Sequence, residues 1–337
     1  MDDSLTQSAD QSKNDTPAAR RKQRLRWVFV GPNGMRAGWG IVVFIAMVVA
    51  IAFGISKLLN FFFGHIPHSA TLLTTRGIYI GESVQLAALI GALAVVSAIE
   101  RRPILSFGLQ GSAGWARFAG GLICGFGSIS LVVLIFLQMH LLTLDSPTTH
   151  GATLWTHGIV WGGAFLLVAL AEESALRGYL QYTLTRGIGF WWGALLLSIL
   201  FGGLHGSNPG ETPVGLISAG GFGIVLCLSL WYTGSLLWAI GFHAAWDWGQ
   251  SYFYGTSDSG TLLDTRLYTA HPIGNILLSG GKTGPEGSVL VLVLLVIMGL
   301  AMWLWWGRRT TSPFSGGGWR PARSNGNRER RLFSKAA

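Results

Sequence analysis

The stretch GIVWGGAFLLVALAEESALRGYLQYTL, residues 158–184, decides the fold. It is apolar for longer than the ~20 residues that a ~30 Å hydrocarbon core requires. Yet it carries Glu172, Glu173 and Arg177 in its interior. On insertion scales a charged side chain at that depth costs at least ~2.5–3.5 kcal/mol, so an intramembrane acid is a functional candidate by default. Further apolar runs lie on either side, at about 39–61, 78–98, 118–142, 190–206, 214–232, 235–253 and 287–307. Together they predict an all-α membrane protein of about eight transmembrane helices in one bundle.

Composition points the same way. The chain has 337 residues, 50% hydrophobic and 12% charged, against about 25% charged in an ordinary globular domain. Its 48 Gly and 15 Trp suit helices that approach closely in lipid and rings that sit at the interfaces. The formal charge of +9 does not indicate a nucleic-acid partner, because the basic residues cluster at the two ends. Residues 1–38, with Arg20, Arg21, Lys22, Arg24 and Arg26, read as a disordered cytoplasmic tail with no cleavable signal pattern. Residues 39–307 form the membrane domain, and 308–337 a second basic tail. Cys124 and Cys227 sit in apolar runs and read as packing or lipid-facing residues.

With eight spans, Arg101, Arg102, Arg117, Arg186, Arg308 and Arg309 all fall on the side of the basic N-terminus. The opposite side receives Arg76, Arg266 and Lys282, with Asp145, Glu211, Asp258, Asp264 and Glu286. The positive-inside rule therefore places both termini in the cytoplasm of a multi-pass protein of the cell membrane. The connection at about 254–286, rich in Gly, Ser and Thr, is the longest on the outer side and would cover the outer mouth of the bundle.

Helical spacing divides the labour of the two glutamates. Glu173 and Arg177 are four apart and share a face, so they pair, and Arg177 neutralises Glu173. Glu172 points about 100° away and has no local partner. Facing a cavity, it can take up a proton, as a general base must. Phe201-Gly202-Gly203-Leu204-His205 lies in the fifth run, and His243-Ala244-Ala245-Trp246-Asp247 in the seventh. A rise of 1.5 Å per residue puts Glu172 roughly 18 Å, His205 roughly 22 Å, His243 roughly 12 Å and Asp247 roughly 18 Å from the cytoplasmic end of their spans. Packing residues without a common purpose have no reason to share one depth. Glu82, in the second run, is a further intramembrane acid that either borders the cavity or pairs with a polar group.

In order and separation, Glu172-Glu173-x-x-x-Arg177, Phe201-x-x-x-His205 and His243-x-x-x-Asp247 resemble the three motifs of the CAAX prenyl protease and bacteriocin-processing family, also called the Abi family. The resemblance covers roughly residues 75–255. It implies an eight-helix intramembrane core with a conical, mid-membrane polar cavity open to the cytoplasm. It further implies an endopeptidase in which Glu172 activates the attacking water, His205 assists, and His243 and Asp247 stabilise the oxyanion. Eukaryotic CAAX enzymes usually carry Asn where this chain has Asp247, and an Asp must be protonated, or act through water or metal, to serve as a donor.

One Glu and two His could bind Zn²⁺ and leave a position for water. Glu172, His205 and His243 are the residues for such a metallopeptidase site, which could equally be metal-independent. Partners would be membrane lipid and a peptide or membrane-anchored protein substrate, cut near the cytoplasmic face. The same side chains would also serve a proton-coupled transporter or a non-catalytic immunity or resistance scaffold.

Overall fold

The computed structural model describes residues 28–31, 34–64, 71–109, 114–147 and 151–315. The expected tails lie largely outside the described residues, with every basic residue before Arg36 and after Arg309. The rest is mainly helical. Six helices are long and apolar enough to cross a membrane. They are α1 (Ala37–Phe63), α2 (Thr75–Glu100), α3 (Gly114–Gln138), α4 (Ala152–Ile188), α6 (Pro213–Thr233) and α8 (Val289–Gly307). Between them stand α5 (Phe190–His205), of 16 residues, and α7 (Leu237–Asp247), extended by wider π turns over Trp248–Phe253.

Local chemistry starts and stops these helices. The hydroxyl of Thr74 accepts from the Gly77 amide at the head of α2. Thr212 does the same for Gly215 ahead of α6, with Pro213 at the first helical position. Both satisfy amides that the first turn leaves without partners. At the far end of α6, Gly234 adopts a left-handed conformation, φ 65°, that closes the helix.

The connections sort into two ends. Leu72–Leu73, ahead of α2, pairs in parallel with Leu262–Leu263. Leu142–Leu144, after α3, pairs antiparallel with Ala270–Pro272. Thr283 donates through its hydroxyl to the Gly210 carbonyl, between α5 and α6, at 2.8 Å. The segment between α7 and α8 thus stitches together the connections α1–α2, α3–α4 and α5–α6 at one end of the bundle. At the other end, the Leu236 amide, between α6 and α7, donates to the Gly108 carbonyl, between α2 and α3, at 2.8 Å. There Arg186 bonds Glu100 at 3.1 Å, and Phe314, after α8, packs on Phe190 and Trp231. This second end carries Arg101, Arg102, Arg186, Arg308 and Arg309 and is called the basic end below.

Small residues set the closest packing. A Cβ on Gly125 of α3 would stand 2.2 Å from the Phe242 carbonyl oxygen of α7. One on Gly241 would stand 2.3 Å from that of Phe118. The two backbones therefore touch, as small-residue interfaces in lipid allow. The outward faces, with Val42, Ile45, Val49 and Phe53 of α1, remain exposed as a lipid-facing surface requires.

Candidate active site

The regular part of α4 ends at Glu173, and Ser174–Leu180 runs on as wider π turns in which Gly178 leaves helical geometry (φ −81°, ψ −109°). The π segment of α7 likewise starts at Trp248, directly after Asp247. Such insertions re-aim side chains and collect at functional sites. Here one follows each of two acids singled out by the spacing.

The expected pairing of Glu173 is found, with an addition. Arg177 Nη1 donates to Glu173 Oε1 at 2.9 Å, and both side chains are fully buried. The same oxygen lies 3.0 Å from His243 Nδ1. The Arg177 guanidinium also stacks on the Phe201 ring, 4.6 Å from its centroid. Glu173 thereby ties α4 to α7, and its partner Arg177 ties α4 to α5. Helix spacing could foretell the bond within α4 but not the one between helices.

On the other ring nitrogen, His243 Nε2 lies 3.2 Å from Asp247 Oδ2 and 3.8 Å from Glu172 Oε2. The imidazole is held between Glu173 and Asp247, with the Glu172 carboxylate beside it. His205 Nδ1 lies 2.8 Å from the Phe201 carbonyl oxygen one turn back. A carbonyl can only accept, so Nδ1 carries the proton and Nε2 is the nitrogen left for chemistry.

Glu172, His205, His243 and Asp247 line one cavity of about 300 Å³, as does Glu82. Phe165, Val168, Phe201, Phe222 and Trp246 give it apolar walls. Ile78, Ala219, Leu226 and Phe242 add to the apolar wall, and Leu73, Asn208, Asp258, Ser259, Thr261 and Glu286 complete the lining; these last six belong to the end stitched by the α7–α8 segment. The connection residues in this lining all belong to the end away from the described termini. The cavity extends toward that end, because the polar connections gather there.

Asp258 and Glu286 escaped the sequence reading as site residues. Glu286 accepts from Trp246 Nε1 at 3.1 Å and from the Ser259 hydroxyl at 2.8 Å. Asp258 accepts from Ser251 at 3.0 Å. Burial, then the nearby carboxylates of Asp247 and Glu286, push the Asp258 carboxyl well above the usual range, against the Ser251 hydrogen bond. Glu286 is also pushed up, by burial and then by Asp247. An acid in a Gly- and Ser-rich connection looks like a solvated one, so nothing in the local sequence marks either as buried.

Among the described residues, no group of three or more His, Cys, Asp or Glu side chains is placed to hold a metal ion. Each ring nitrogen of His243 faces a carboxylate oxygen, which accepts, so both nitrogens act as donors and neither offers a lone pair to a metal. Glu172, His205 and His243 thus do not fit a metal in this arrangement.

Residues 154–249 match the family model of the Rce1-like type II CAAX prenyl endopeptidases. The matched segment contains all three motifs, and the family resemblance drawn from them holds. Among curated proteins nothing matches the chain, nor does anything among solved structures.

Proposed function

We propose that this chain is an intramembrane endopeptidase of the CAAX type, spanning the bilayer eight times with α5 and α7 as its two short crossings. The convergence of Glu172, His205, His243 and Asp247, from helices far apart in sequence, on one cavity carries the reading. Glu172 takes a proton from a cavity water as the water oxygen attacks the substrate carbonyl, and later hands that proton to the leaving amine. His205 positions the same water through Nε2. His243 donates from Nε2 to the developing oxyanion, leaving its bond to Asp247 to do so, while Glu173 holds the ring by Nδ1. A donor fixed in advance where charge develops is worth a few kcal/mol of barrier in a water-poor site.

A transporter needs an aqueous route to both faces. Beneath the site, toward the basic end, Phe107, Tyr179, Tyr182, Phe190, Leu230 and Leu236 form a buried cluster, which favours the peptidase over that alternative. The reading is tested with purified protein and a mixed library of peptides. Cleavage by the wild type that disappears in Glu172→Gln is the expected result, and equal cleavage by both would sink it.

A further inference from the structure

Three observations concern the direction from which the cavity is reached. Every connection residue in its wall, from Leu73 to Glu286, belongs to the end stitched by the α7–α8 segment. Among the described residues, none of its lining comes from the connections at the basic end. That end is filled: Phe107 packs edge-on against Tyr179 and Tyr182 with centroids 5.2 and 5.1 Å apart. Leu230 and Leu236 beside them are fully buried, and the Leu236 amide bonds the Gly108 carbonyl across the gap.

The charges fix which end is which. Arg101, Arg102, Arg186, Arg308 and Arg309 lie at the filled end. At the other end stand Lys57, Arg76, Arg266 and Lys282, with Asp145, Glu211, Asp258, Asp264 and Glu286. An excess of Lys and Arg in short connections marks the cytoplasmic side. The filled end therefore faces the cytoplasm and the cavity faces away from it.

We infer that the cavity is served from the extracytoplasmic side. Its substrate class is then an exported peptide or the outer juxtamembrane segment of an anchored protein, not a lipid-modified C-terminus lying on the cytoplasmic leaflet. The substrate half of this inference rests on the peptidase reading, while the access half stands on geometry and charge. Chemistry agrees with an outer substrate: among the described residues, the wall holds Glu82, Glu172, Asp247, Asp258 and Glu286 against His205 and His243, and no Lys or Arg. A chain emerging from a basic cytoplasmic surface would have to pass from one sign of charge to the other, through the filled end.

The access half is tested by thiol labelling in a Cys124→Ser, Cys227→Ala background. Thr261→Cys probes the mouth, Ala219→Cys the interior wall, and Ser315→Cys the basic end. Intact cells are blocked with a membrane-impermeant cationic methanethiosulfonate, then lysed and labelled with a maleimide. Thr261→Cys and Ala219→Cys should lose their maleimide labelling after the block, and Ser315→Cys should keep it. Retained labelling at Ala219→Cys in intact cells, with loss in inverted vesicles, overturns the inference. The substrate half is read by sequencing new peptide termini in cells expressing wild type or Glu172→Gln. Glu172-dependent termini should map to segments outside the cytoplasm, and termini on cytoplasmic segments overturn it. Absence of any Glu172-dependent terminus would defeat the peptidase reading itself, while the labelling still decides the access side.

Discussion

Two adjacent glutamates of α4 live in different surroundings, and substitution should separate them. Glu172 borders the cavity without a close partner, its nearest cation-forming atom being His243 Nε2 at 3.8 Å. Glu172→Gln keeps shape and packing, so turnover should vanish while the detergent thermal melt stays near that of the wild type. Glu173 is fully buried and shares one oxygen between Arg177 and His243. Glu173→Gln strands a buried guanidinium and should cost roughly 3–5 kcal/mol, the usual loss when one partner of a buried pair is removed. Its melt should drop whether or not residual cleavage is seen, and an unchanged melt would refute the role given to Glu173. These residues were legible in the sequence for an energetic reason. Charge in an apolar run is expensive, so each of Glu172, Glu173, Arg177, His205, His243 and Asp247 demanded an explanation. Asp258 and Glu286 demanded none, because a carboxylate in a polar connection costs nothing until the chain folds it inward.

At the scale of elements, α3 and α7 are in backbone contact. Gly125→Ala places a methyl 2.2 Å from the Phe242 carbonyl. Forcing atoms into a filled interface costs ~1–3 kcal/mol or more, so this variant should melt lower. Gly127→Ala, on the same helix with nothing within 4 Å of its Cβ, should leave the melt unchanged. The α7–α8 connection has its own signature in pH. Asp258 is held protonated above the ordinary carboxylate value of ~3.9. Ionising it costs the folded state more than the unfolded, so its contribution is intact below that value and lost as pH rises through the raised one. Asp258→Asn should therefore melt above the wild type near pH ~8, with the gap closing near pH ~4; a gap independent of pH would refute the assignment. The long apolar helices could be read from hydropathy alone. The π turns after Glu173 and Asp247 could not, because they arise where packing between helices, not local preference, sets the backbone.

For the molecule as a whole, the sequence located the catalytic-looking side chains in one slab, and they do meet. The cytoplasmic opening expected for them came from the family resemblance and not from their depth. Depth along a helix carries no sign: a residue near mid-membrane is about equally far from both surfaces. Which surface it communicates with depends on which connections fold inward and where aromatic side chains pile up. Leu72–Leu73, Leu142–Leu144 and Gly210 are bound by partners far along the chain, at Leu262–Leu263, Ala270–Pro272 and Thr283. Those long-range hydrogen bonds bring the cavity wall into being.

That stitching also orders events during synthesis. Every motif residue, Glu172 through Asp247, has been synthesised before the first residue of the α7–α8 connection is made. At ~5–20 residues per second, the wall from Asp258 to Glu286 follows seconds later. A nascent chain ending near residue 254 holds both glutamates, both histidines and Asp247, yet has neither Asp258 nor Glu286 to bond Ser251 and Trp246. The cavity is thus among the last parts of the molecule to be completed, and a chain still being inserted into the membrane carries its motif residues in an unfinished vessel.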